Sequence, residues 1–196
     1  MIQFTPEMIE AYYMHMSNRF DATIITQDEI IKLIPHNQEL IFVMGALEMM
    51  GVDPFVYISE LSICVGRFVV VPFTPGSPGT QTQLRKQFIN LAHELTHRIR
   101  WKNNPKAIFR YFASRSERAH TEAEANHPVL ELGFRFTGKI PSTQHIAKKM
   151  VDLYLCRPAD ANVTRKHLNI YAMAVKQGAV GSATGKAAVK WLEKYT

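Results

Sequence analysis

The stretch Gln83–Trp101 constrains the fold of this chain more than any other. Phe88, Leu91, Ala92, Leu95 and Ile99 recur at helical spacing, which predicts one long helix with an apolar stripe. His93 and His97 border that stripe four residues apart, so their rings share one face of the helix. Both would be half-buried, and buried imidazoles need a polar partner.

The five residues His93-Glu94-Leu95-Thr96-His97 match H-E-x-x-H. Zinc accepts imidazole nitrogen at ~2.0–2.1 Å, and two histidines one turn apart reach it together. Glu94, rotated by about 100° from His93, lies at the edge of that face. There it would take the proton from an attacking water without binding the metal itself. A catalytic zinc also needs a third protein ligand and an open position. The segment Ser114–Leu132 offers candidates. Glu122 and Asn126 share one face of a predicted helix, with Ala119, Ala123 and Ala125 allowing close helix approach. Glu124 is the alternative ligand and lies about 200° round the same helix, so both acids cannot hold one ion.

The two segments together resemble the gluzincin clan of zinc peptidases, in which H-E-x-x-H is followed by a helix carrying E-x-x-A-D or E-x-x-x-D. Here that register reads Glu122-Ala123-Glu124-Ala125-Asn126. Arg118 to Glu122 is also similar to the minimal gluzincins, including compact ones in phage genomes. The resemblance covers about Arg67 to Leu132. It implies His93, His97 and Glu122 as zinc ligands, Glu94 as general base, and Asn126 where the clan usually places an Asp beside a ligand histidine. A neutral amide there would raise ligand basicity less than a carboxylate. An oxyanion donor is also required. Its candidates are Arg118, Tyr111, His120, His127, His145, Tyr154 and Tyr171.

Composition is that of an ordinary globular domain, 46% hydrophobic and 20% charged over 196 residues. The expected architecture is α+β: one mostly helical zincin-like domain over 1–196, with a small antiparallel sheet beside the H-E-x-x-H helix. Residues 142–196 could form a helical C-terminal subdomain. No apolar run reaches ~18 residues, and the first residues lack a basic and an apolar signal region. The expected location is cytoplasmic, in a host cell or a virion if phage-encoded, with no membrane partner. Cys64 and Cys156 are expected to be free thiols. The net charge of +6, concentrated in the second half, would attract nucleic acid, although solvated helix faces explain it better. Three functions therefore compete: a zinc endopeptidase acting on protein or peptide, a nucleic-acid-associated zinc protease, and a weakly active structural or virion zinc protein.

Local signals set the remaining expectations. Thr5 caps a helix from Pro6 to about Asn18, and Thr26 with Glu29 forms a capping box opening a short helix. Asn37 caps Gln38–Met50. Phe55–Val65 and Arg67–Phe73 read as a hairpin turned at Gly66, with the second strand a candidate substrate-binding edge. Thr74–Thr82 reads as a Pro/Gly-rich connector. Pro128 should break the glutamate helix near His127, leaving Gly133–Pro141 as loop, followed by helices at Ser142–Cys156, from Asn162 or Thr164 to Lys176, and at Lys186–Tyr195.

Overall fold

The computed structural model describes residues 2–195. The chain is mostly helical with one small sheet, the expected α+β class. It divides into two compact units, residues 4–108 and residues 109 onward, the latter joined by the first few residues.

In the first unit, α1 (Pro6–Phe20) starts where Thr5 accepts from the Met8 N–H and Pro6 takes the first helical position. β1 (Thr23–Thr26) follows, then α2 (Gln27–Leu33), opened by the Thr26–Glu29 capping box. A 3-10 turn, Ile34–His36, leads to α3 (Gln38–Met49), capped by Asn37. The expected strand from Phe55 is instead α4 (Pro54–Glu60), with only β2 (Ile63–Val65) left extended. Asp53 accepts from the Phe55 and Val56 N–H groups, and Pro54 occupies the first turn. That local start signal outweighs the β propensity of Val56, Tyr57 and Ile58.

β3 (Phe68–Val71) pairs antiparallel with β2 across the Gly66–Arg67 turn, where Gly66 has φ +55°. β3 also pairs in parallel with β1, Thr23 opposite Phe68 and Thr26 opposite Val71. The sheet is therefore mixed, and β3 lies at its centre, bonded on both sides. It cannot be an edge for a substrate strand. Its four residues are all buried, as befits an apolar run covered on both faces.

α5 (Gln81–Asn103) is the longest helix, capped by Thr80. α1 packs along its first half, where the Tyr12 ring stacks on Phe88 at 3.7 Å and the Tyr13 hydroxyl donates to the Gln87 carbonyl at 3.0 Å. The Gln87 side chain clasps the preceding connector, accepting from the Gly76 N–H and donating to the Ser77 carbonyl, both at 2.9 Å. At the other end Arg98 donates to the carbonyl and carboxylate of Asp21, each at 2.9 Å.

α6 (Ala107–Ala113) leads into the second unit. There α7 (Arg115–Ala125) ends just before Asn126 and α8 (His127–Thr137) restarts with Pro128 in its first turn, so the proline acts as a helix starter. The loop expected at Gly133 is helical instead. A Cβ at Gly133 would run into the Pro141 ring, so this glycine serves close packing. α9 (Thr143–Asp152), α10 (Pro158–Lys176) and α11 (Ala183–Leu192) complete the unit, with a 3-10 turn at Glu193–Tyr195. α10 packs against α7, α8 and α9. Ala119 and Ala123 of α7 join Leu130, Ile146, Met150, Leu168 and Val175 in this core. Among the described residues no single helix is long and apolar enough to cross a membrane.

Candidate metal centre

The helical spacing of His93 and His97 brings their rings to a centroid separation of 5.0 Å at 77°. Trp101, one turn further along α5, stacks on His97 at 5.6 Å and 10°. Both histidines and Glu94 are buried, at 7%, 6% and 4% exposure. Glu122 is buried more deeply still, at 1%. His93, His97 and Glu122 form a buried group whose ligand atoms all lie within 4.8 Å of one another. Two imidazoles and one carboxylate gathered in this way could hold a metal ion.

The other acid of the same segment stands apart. Glu124 faces solvent and pairs with His120, one turn earlier, at 3.3 Å. The 200° separation read from sequence thus divides the two acids, with Glu122 in the group and Glu124 on the surface. Asn126 caps α7 at its C-terminal end. Its side-chain nitrogen donates to the Glu122 carbonyl at 2.8 Å, and its backbone N–H reaches the same oxygen at 3.0 Å.

The oxyanion candidates are distributed. Arg118 is buried and donates to three carbonyls, those of Tyr111, Phe112 and Tyr154. His127 stacks on Tyr171 at 3.7 Å and lies parallel to His167 at 5.6 Å. Burial first, and then His167, pushes His127 down from 6.5 to about 4, so its ring is neutral at pH 7. Tyr171 donates to Glu131. His145 is exposed on α9. Tyr111 donates to Glu122 Oε1 at 2.7 Å. Sequence patterning does not reveal that pairing, because Tyr111 and Glu122 belong to different helices.

β2 runs beside α5 and forms one edge of the sheet. Trp101 Nε1 donates to the Cys64 carbonyl at 3.2 Å, and Asn90 Nδ2 to Ser62 Oγ at 2.7 Å. A cleft of about 530 Å³ lies at this end of α5, walled by Trp101, Arg98, Lys102, Phe68, Arg67 and Ile108 among others. Cys64 and Cys156 are free. Burial raises both thiols, Cys156 to about 11, so neither is poised as a thiolate ligand.

No family model, curated protein or solved structure matches this chain.

Proposed function

We propose that this chain is a zinc-dependent metalloendopeptidase of gluzincin type, with His93, His97 and Glu122 as ligands and Glu94 as general base. The observation that carries this reading is the buried His93–His97–Glu122 group, with Glu94 buried on the same helix between its two histidines. The donor set suits zinc: neutral nitrogens and one carboxylate, three ligands in all, as in catalytic sites that keep a position for water. Zinc held there would supply a Lewis acid, polarising a carbonyl oxygen and making water a better nucleophile at neutral pH.

The chain's own residues do the rest. Glu94 takes a proton from the attacking water and returns it to the leaving amine. Its burial strengthens that exchange, because little bulk water competes for the carboxylate. Trp101, stacked on His97, holds that imidazole in one orientation and also walls the cleft at the end of α5. A peptide is the substrate class that suits this chemistry, and the cleft is where a side chain of it would lodge.

The test is Glu94→Gln, assayed with a peptide library with and without chelator, alongside metal analysis. Zinc should remain at parent stoichiometry while turnover falls about 100-fold or more, the usual contribution of a positioned base. Unchanged turnover would remove the peptidase reading.

A further inference from the structure

We propose that Tyr111 is a positioning residue for the metal-binding carboxylate, its phenol holding Glu122 as a one-oxygen ligand. This rests on the zinc reading above and adds to it a residue that neither the motif nor helical spacing selects.

A carboxylate can bind a cation through one oxygen or both, and binding through both uses up a position at the ion. The Tyr111 hydroxyl donates to Glu122 Oε1 at 2.7 Å, so the phenol draws on that oxygen and an ion held here would be taken chiefly by Oε2. A three-ligand centre built in this way would keep its fourth position for water. Carboxylate ligands are ordinarily oriented by hydrogen bonds of this kind.

The phenol is itself held by a built arrangement. The last carbonyls of a helix have no partner within it. At the end of α6, Arg118 supplies two of them, with Nε donating to the Tyr111 carbonyl at 3.1 Å and Nη2 to the Phe112 carbonyl at 2.9 Å. Nη1 reaches the Tyr154 carbonyl at 2.8 Å, before the start of α10. The guanidinium carbon lies 5.6 Å from the centre of the Tyr111 ring. Phe112 meets the same ring edge-on at 5.1 Å. Arg118 sits one turn before Glu122 on α7, so a single cation folds the end of α6 back over its own helix and sets the phenol above the carboxylate. The fork geometry is what allows three carbonyls to be served at once, and a lysine could not reproduce it.

The experiment uses the full chain with Tyr111→Phe, which keeps the ring and removes only the hydroxyl. Zinc affinity is measured by competition with a chromogenic chelator, and cobalt(II) is then loaded in place of zinc for its visible spectrum. The dissociation constant should rise about ten-fold. The cobalt d–d bands should weaken, because a second carboxylate oxygen raises the coordination number. Unchanged cobalt bands would overturn the one-oxygen assignment whatever happens to affinity, since a merely structural hydrogen bond would not alter them. Arg118→Lys is the second variant, needed if Tyr111→Phe fails to fold. It should weaken zinc binding a few-fold through a loosened phenol, and parent affinity in that variant would refute the clamp. A parent chain that takes up no zinc is a different result, because it removes the metal reading itself.

Discussion

Two buried glutamates nine residues apart, Glu122 on α7 and Glu131 on α8, have opposite fates. Both are almost wholly hidden from solvent, at 1% and 3% exposure. Glu131 is surrounded by donors of its own chain: the Gly181 N–H at 2.7 Å, the Ser182 N–H at 2.8 Å, and the hydroxyls of Tyr171 and Ser182. Ser182 is also the cap of α11, so the carboxylate sits at that helix's positive end and fastens α8 to it. A Cβ at Gly185 would collide with the same carboxylate, which explains a glycine in the first turn of α11. Glu122 instead shares its surroundings with two imidazoles and a phenol. Burial alone therefore does not mark a candidate ligand. Both acids accept hydrogen bonds, but Glu122 also has two imidazoles beside it, groups that in their neutral form offer lone pairs to a cation.

Removing each acid in turn tests that contrast. Glu122→Ala carries the largest expected effect. Structural zinc sites are worth about 10–16 kcal/mol over four ligands, so one ligand represents about 3 kcal/mol, more than 100-fold in zinc affinity. Calorimetric titration of the metal-free protein measures it directly, and parent affinity in that variant would erase the distinction. Glu131→Ala comes next and should act on a different quantity. It orphans several buried donors, at about 2–3 kcal/mol of folding stability, while zinc stoichiometry stays at the parent value. Urea unfolding read beside metal content decides this. A folded Glu131→Ala protein that had lost its zinc would contradict the division of roles.

The smallest effect concerns His127, which stacks on the Tyr171 ring that serves Glu131. Its folded pKa of about 4 lies below the ordinary 6.5. The unfolded chain thus takes the proton first, and the stability contributed by the neutral ring is complete above pH 6.5 and lost as pH falls toward 4. Besides His167, the His120 ring disfavours the proton and the Glu124 carboxylate opposes them. Solvent reaching part of the ring softens the loss. His127→Phe should flatten the decline of unfolding midpoint between pH 6.5 and 4, and parallel curves for the two proteins would remove the assignment.

What the sequence disclosed was chiefly short-range. The Thr5, Thr26 and Asn37 caps join residues about three apart, so their geometry is written within one turn. The same locality makes His93 and His97 legible. Phe55–Glu60 reads as strand because its side chains suit a sheet, although Asp53 and Pro54 carry the decisive helix-start signal. Asp21–Ile25 reads as a short extended link, but not as the sheet strand β1, because the pairing joins Thr23 to Phe68, across 45 positions, and no periodicity reports such a partner. Gly133 reads as the start of a loop, when its role inside α8 is to admit Pro141. At the centre, Glu122 was reached through its motif register. From sequence Tyr111 is only an oxyanion candidate, since its partnership with Glu122 depends on how Arg118 holds α6 against α7.

Trp101 has a mechanical consequence. One face of its indole lies along His97, and its nitrogen grips the carbonyl of Cys64 in the hairpin. The hairpin and the imidazole thus share a single hinge pin. Ile63–Val65, more than thirty positions upstream of His97, are thereby tied to its ring through one indole.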